Sequence, residues 1–351
     1  MKNPLDFGPD LLRWYKQNKR PLPWRETRDP YRVWLSEIIM QQTRIDQGLA
    51  YYRKFVENFP ALTDFAMADE DTILKLWQGL GYYSRARNMH HTAKTIAANH
   101  EGIFPDNYTA LLKLKGIGEY TAAAIASIAF KQPHAAVDGN VYRVLSRLYG
   151  IDTPVDSSQG KKEFRELANR LLDRKNPGDH NQALMEFGAL LCTPRNPDCP
   201  DCPFKNRCVA HQSGLTDKLP AKAGKQKIRL RYFNYLLICS GDDIYLNKRT
   251  GNDIWKNLYE FPLIEHDRKT EPAELGPQLN SLFGLQQIVV TKITAWKKQV
   301  LSHQHIYYRF LYISDGDKKI ELSAFVKVNK KDIFNFAVPK PVEKEIENLN
   351  L

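Results

Sequence analysis

The sequence predicts a multidomain protein: an all-α region over residues 1–215, a basic linker at 216–228, and an α+β domain over 229–351. Three observations carry this. Up to Cys192 the apolar residues recur mostly at helical spacing. From Thr216 to Arg231 the string TDKLPAKAGKQKIRLR holds six Lys or Arg against one Asp, with no apolar period. Such a stretch is a solvated linker able to touch phosphates. Beyond it, β-branched and aromatic residues alternate in RYFNYLLICS, DIYLNKR, IVVTKITAW, HIYYRFLYIS and FVKVN, the pattern of a mixed or antiparallel sheet.

The 351 residues suffice for two or three domains, each with its own core. A net charge of +11 fits a polyanionic partner, although ribosome-bound and membrane-surface proteins share that balance. No apolar run reaches the ~18–20 residues of a membrane span, and MKNPLDFGPDLLRWYKQ lacks the apolar core of a signal peptide. Four of the five cysteines crowd into one segment, which argues against a secreted disulfide scaffold. The expectation is a cytoplasmic protein without a membrane anchor.

Taken in order, Pro9 to Asn18 reads as a short amphipathic helix. RPLPWRETRDPY then stays extended because of its prolines, a strap anchored by Trp24 and carrying Arg20 and Arg25. Tyr31 to Gln42 (YRVWLSEIIMQQ) is apolar almost all round, hence a buried helix. It contains one carboxylate, Glu37. Burial would raise its pKa and keep it protonated, as a general acid at neutral pH requires. Alternatively Glu37 lies on a wet stripe with Gln41 and Arg44. Helices follow over 46–58, 69–78 and 84–99. Between the last two, QGLGYYSRARN places Tyr82 and Tyr83 beside Arg85 and Arg87. Aromatic rings among cations suit insertion into a base stack, or simply close a helix junction.

LLKLKGIGEYTAAAIASIAF reads as a short helix, a tight turn at Gly116-Ile117-Gly118, and a second helix over Glu119–Phe130. The two glycines allow positive φ and close backbone approach. Amides at the start of the second helix suit a phosphate, or cap an ordinary helical corner. Asp138, ahead of Gly-Asn and VYRVLSRLYG, reads as an N-cap, where a carboxylate is stabilised as an anion. One acid expected protonated, Glu37, and one expected charged, Asp138, form the division of labour of a glycosidic-bond hydrolase. Two further helices span 160–172 and 179–191.

Then comes Cys192-x6-Cys199-x2-Cys202-x5-Cys208, four thiols within seventeen residues. They converge on a metal or pair as disulfides. Structural zinc more often uses two separated Cys pairs, whereas thiolates in one compact loop suit an iron–sulfur cluster. Arg195, Lys205 and Arg207 in the loop would face phosphates. Cys239 lies in an apolar run and reads as a buried thiol.

Taken together, WLSEIIMQQT, GLGYYSRARN, LKGIGEYTA, VDGN and the cysteine spacing resemble the adenine DNA glycosylases, helix-hairpin-helix proteins of the endonuclease III superfamily. The likeness extends over essentially the whole chain. It implies a helical barrel with the helix-hairpin-helix at about 29–135, and an iron–sulfur domain from 1–28 plus 136–215. The cofactor implied is a [4Fe–4S] cluster on Cys192, Cys199, Cys202 and Cys208. The same likeness assigns Glu37 and Asp138 to catalysis with help from Tyr120 and Asn140. Arg20, Trp24, Arg25, Met40 and Gln182 would line the adenine pocket. Gln42, Tyr82, Gly116, Gly118, Ser302 and His303 would touch DNA. Superfamily members that also cut the backbone carry a Lys early in the second hairpin helix; Tyr120 stands there, so glycosylase activity without efficient lyase activity is expected.

IYLNKRTGNDIWKNLYEFP resembles the start of the Nudix fold, but PLIEHDRKTEPAELGPQL lacks its glutamate-rich metal helix. This domain therefore reads as a recognition module; the resemblance implies that it reads 8-oxoguanine through Leu301-Ser302-His303, where Leu replaces the family's Phe, while a plain hairpin turn with a chance Ser-His is the alternative. The partner implied is duplex DNA with A:8-oxoguanine or A:G mispairs, bound by a monomer. A pyrimidine-damage glycosylase/lyase of the same superfamily and a non-enzymatic iron–sulfur DNA-binding protein are the rival readings.

Overall fold

The computed structural model describes residues 7–224, 228–283, 289–314 and 322–349. In chain order the helices are α1 (Phe7–Asn18), α2 (Pro30–Ile39), α3 (Ile45–Asn58), α4 (Leu62–Met67), α5 (Glu70–Trp77), α6 (Ser84–Asn99), α7 (Tyr108–Leu111), α8 (Glu119–Phe130), α9 (Gly139–Tyr149), α10 (Ser158–Leu171), α11 (Pro177–Leu190), α12 (Val209–Gln212), α13 (Gly276–Phe283) and α14 (Lys340–Glu347). The strands are β1 (Arg229–Ser240), β2 (Asp243–Lys248), β3 (Tyr259–Glu260), β4 (Leu263–His266), β5 (Val289–Ile293), β6 (Lys297–Val300), β7 (Gln304–Ser314) and β8 (Val326–Asn329). No helix among the described residues is long and apolar enough to cross a membrane.

Two compact units result. The first joins the residues up to Met67 with Asn88–Gly224; the second joins Ala68–Arg87 with the residues from Lys225 on. Residues 68–87 lie within the region read from sequence as helical barrel, yet group with the C-terminal domain.

In the first unit α8 is buried from Thr121 to Ile128, apolar all round, and α2 packs against it. A second core joins Leu11 of α1, Val141 and Leu145 of α9, Phe164 of α10, Phe187 of α11 and Phe204 of the cysteine loop. Phe204 therefore fixes that loop to the helices by burial. The linker is not free along its length: Arg147 Nε donates to Leu219 O (3.1 Å), and Ala223 N to Asp156 Oδ1 (2.8 Å).

In the second unit β1 and β7 pair in parallel over Arg229–Cys239 and Gln304–Ser314, and β2, β4, β5, β6 and β8 pair antiparallel, giving the mixed sheet. Alternation sorts β1 onto two cores. Phe233, Tyr235 and Leu237 pack with Val342 and Ile346 of α14; Leu236 and Ile238 pack with Leu275 and Leu279 on the other face. A central strand covered on both faces must be apolar on both, which explains the unbroken FNYLLI run.

Candidate active site

Four segments of the first unit meet at one pocket. Asp29 caps α2 by accepting from Tyr31 N (2.9 Å), and α2 delivers Glu37. A short turn, Pro23–Arg25, replaces the extended strap in part and presents Trp24 and Arg25. The first turn of α8 brings Tyr120, and α11 brings Gln182 and Met185. Trp24, Arg25, Val33, Ser36, Glu37, Ile128, Gln182 and Met185 enclose about 300 Å³, part of it open to solvent. Trp24 packs edge-on against Tyr52 with ring centroids 5.1 Å apart.

Glu37 faces this pocket, half-buried, and accepts a short hydrogen bond from the Tyr120 hydroxyl, which also lies 3.3 Å from Met185 Sδ. Burial pushes the Glu37 carboxyl up to about 7. The Tyr120 bond opposes this, the charge of Asp138 adds to it, and Arg25 opposes it. Tyr120 itself is raised well above its ordinary value, by burial first and then by Glu37 and Asp138. The phenol therefore stays a donor.

Asp138 caps α9 as expected. Its Oδ1 accepts from Val141 N (2.8 Å), and its Oδ2 from Asn140 Nδ2 (2.7 Å). The expected direction of its titration needs correcting. Burial raises this carboxyl above its ordinary value, against the hydrogen bonds from Val141 and Asn140 and the charge of Arg143. The helix N-terminus moderates the desolvation rather than overcoming it. Asn140 is fixed from behind: Arg143 donates to Asn140 Oδ1 (2.8 Å), Gly188 O (2.6 Å) and Cys192 O (2.7 Å).

Glu186 escaped the sequence reading. It is 1% exposed, and both Arg20 and Arg25 bind it. Arg25 forks onto its two oxygens at 2.7 Å each; Arg20 Nε reaches Oε1 at 2.9 Å. Although burial pushes its carboxyl up, these bonds hold Glu186 down to about 2. Arg20 thus pairs with Glu186 and is not among the residues lining the pocket. Neither is Met40, whose sulfur fills the space beside Gly48. The available signal was Gln182 and Glu186, one turn apart on the otherwise apolar NQALMEFGALL.

The hairpin uses its glycines differently. Gly116 has φ +80°, and a Cβ there would meet Asn88 Cβ at 2.7 Å. Gly118 is extended (φ −87°, ψ 179°), and a Cβ there would meet nothing within 4 Å. Ile117 between them is buried, and Thr92 Oγ1 ties down Lys115 O at 2.7 Å. The helix expected to run through Gln42 ends at Ile39; Gln42 is exposed and left-handed (φ +55°). In the second unit Tyr82 is also left-handed (φ +47°) and 47% exposed. Non-glycine residues held there carry strain that the surroundings must impose. Ser302 and His303 form the exposed turn between β6 and β7, with Ser302 Oγ 3.2 Å from His303 Nδ1. Leu301 packs on the sheet core beneath them.

Cys192, Cys199, Cys202 and Cys208 are free thiols that line one pocket, partly open to solvent, with Arg147, Lys205 and His211. Arg147 Nη1 lies 3.4 Å from Cys192 Sγ. Among the described residues no three ligating side chains are close enough to hold a single metal ion. The donor set fits a group larger than one ion and rich in sulfur affinity.

Residues 35–172 match the HhH-GPD superfamily of base excision DNA repair proteins, and residues 234–348 match the NUDIX domain. An adenine DNA glycosylase of Buchnera aphidicola (from Acyrthosiphon pisum) is 32% identical, covering 97% of this chain and 97% of its own. The chain belongs to the adenine DNA glycosylase family. The human adenine DNA glycosylase is 42% identical over 61% of this chain and 41% of its own. A solved thermostable thymine-DNA glycosylase, 30% identical, superposes with a TM-score of 0.55 over 60% of this chain and 96% of its own. The protein is thus a base excision DNA repair glycosylase, with a helical region followed by a Nudix-like domain.

Proposed function

We propose that the enzyme removes adenine mispaired with 8-oxoguanine or guanine, by extruding the base from duplex DNA and hydrolysing its glycosidic bond without cutting the backbone. The observation that carries this is Glu37: a carboxyl raised to about 7, hydrogen-bonded to Tyr120 and facing the pocket that Trp24, Arg25, Gln182 and Met185 line. Trp24, Arg25 and Gln182 hold the adenine there, and Glu186 keeps Arg25 in place. Glu37 gives its proton to the purine, at N7. The C1′–N9 bond then breaks with its electron pair going to the base. Asp138 faces the resulting sugar cation, and water or a brief covalent capture by Asp138 completes the exchange. Asn140 and Tyr120 orient the two acids. Gly116 and Gly118 present backbone amides to a phosphate, Gln42 and Tyr82 enter the duplex, and Ser302 and His303 read the base opposite.

No lysine lines the Glu37 pocket among the described residues, which supports hydrolysis without Schiff-base chemistry. The four cysteines would hold a [4Fe–4S] cluster, whose contribution is to cross-link the loop carrying Arg195, Lys205 and Arg207 toward DNA. The thymine-DNA glycosylase likeness makes pyrimidine excision the competing reading. One panel separates them. Duplexes with A:8-oxoguanine, A:G and oxidised pyrimidines are incubated with the enzyme, with and without borohydride. Adenine release without a trapped adduct is expected; pyrimidine release with a strong adduct would overturn the proposal.

A further inference from the structure

The Tyr82 loop belongs, by its contacts, to the C-terminal unit. From inside, Trp77 Nε1 donates to Gly81 O (3.0 Å), and Arg85 donates to the carbonyls of Leu80 and Gly81 (3.2 Å each). Arg85 also lies over the Trp77 and Tyr82 rings, at 5.0 and 5.7 Å. From outside, the C-terminal domain grips both ends of the segment. At the start of α5, Asp71 accepts from Lys248 Nζ (2.7 and 2.9 Å) and from the Tyr259 hydroxyl (2.9 Å). Past the loop, Arg87 donates to Lys256 O (2.8 Å). At the end of α5, Gln78 donates to Glu343 Oε1 (2.7 Å) and accepts from Val338 N (3.2 Å).

Each of these polar contacts is worth little alone. Together they fix a segment that would otherwise relax. Gly79 and Gly81 have φ +100° and +71°, and Tyr82 between Gly81 and the helix has φ +47°. A left-handed tyrosine is strained and persists only where its surroundings over-determine it. Here the surroundings are β2, β3 and the residues around α14.

We propose that the C-terminal domain positions the Tyr82 ring for entry into duplex DNA, through Lys248 and Tyr259 on Asp71 and through Glu343 and Val338 on Gln78. This rests on the reading of Tyr82 as the side chain that enters the base stack. The exposed Ser302–His303 turn belongs to the same compact unit. Engagement of the base opposite adenine and insertion of Tyr82 are then one event, coupled reciprocally.

The test uses the full chain and a duplex carrying A:8-oxoguanine with 2-aminopurine beside the 8-oxoguanine, so that unstacking is read as fluorescence. Four proteins are compared with the parent: Tyr82→Ala, Lys248→Ala with Gln78→Ala, all three substitutions together, and Lys248→Arg. The double variant should lose the unstacking signal and slow excision roughly tenfold, about 1.4 kcal/mol. Adding Tyr82→Ala to it should change neither readout further, and Lys248→Arg should keep the parent signal. A double variant with full signal, or losses that add in the triple variant, would overturn the positioning role. A Tyr82→Ala protein that keeps the signal would instead refute the reading of Tyr82 beneath it. Should the double variant melt early, the single change Gln78→Ala carries the same comparison, with loss of signal expected and retention counting against the role.

Discussion

Glu37 in the first unit and Glu260 in the second are both buried acids whose carboxyls burial pushes up. Their surroundings differ in kind. Glu260 is 1% exposed, accepts from Arg249 Nη1 at 2.7 Å and lies 3.3 Å from the Tyr235 hydroxyl. Arg249 and Arg231 share Asp253, and Arg231 also forks onto Glu265. That network closes on itself, and its acid is buried. Among the described residues no cation hydrogen-bonds the Glu37 carboxyl; its partner is a phenol, and beyond it lies the pocket. A weakened acid is therefore not in itself a sign of catalysis. What marks Glu37 is a proton held by a phenol rather than an ion pair, at the edge of an open pocket.

The sharpest way to break this contrast is to remove both acids in turn. Glu37→Gln should lower single-turnover excision of adenine by about 10²–10⁴-fold while mispair binding persists. Glu260→Gln should leave the rate within a few-fold of parent, yet cost on the order of 1–2 kcal/mol of stability, because it weakens the acceptor of Arg249 Nη1 inside the closed network. Denaturant melts and quenched-flow assays of the two variants decide it; equal kinetic losses would erase the distinction. Asp138→Asn should come next in size, near-inactive at every pH, since an amide cannot face a sugar cation as an anion.

The pH profile sharpens the comparison further. A folded-state carboxyl raised from 4.5 to about 7 stabilises the protein below pH 4.5 and loses that contribution as pH rises through about 7. The parent's excision rate should therefore fall above about pH 7. Glu37→Gln should be more stable than parent above that pH, by on the order of 2–3 kcal/mol, and no different at pH 4. A flat stability difference across this window would mean Glu37 is not held protonated. The smallest effect is expected from Tyr120→Phe. Losing that donor removes what pulls the Glu37 carboxyl down, so the alkaline limb should move to higher pH, with less than roughly tenfold loss at its maximum.

Much of the fold was legible from local pattern. The Asp138 cap and the hairpin helix over Glu119–Phe130 follow from periodicity and capping chemistry, which act within a few residues. What stayed hidden acts between distant segments. Glu186 is one acid in an apolar helix until Arg20 and Arg25 fold onto it from more than 160 residues away. The early end of α2 depends on a left-handed Gln42 that no propensity favours. The sign at Asp138 depended on how much protein covers it, and burial is a tertiary quantity. The grouping of residues 68–87 with the C-terminal domain rests on single pairs such as Asp71 with Lys248, which sequence spacing cannot announce.

Gly118 leaves a different kind of mark. Its backbone angles are open to any residue, and a methyl group would find room there. Among the described residues nothing within 4 Å of a Cβ asks for glycine at that turn. An alanine there should melt with the parent; if the turn rests on a phosphate as proposed, the same variant should bind duplex DNA less tightly, and a melt beside a binding titration separates the internal from the external demand on residue 118.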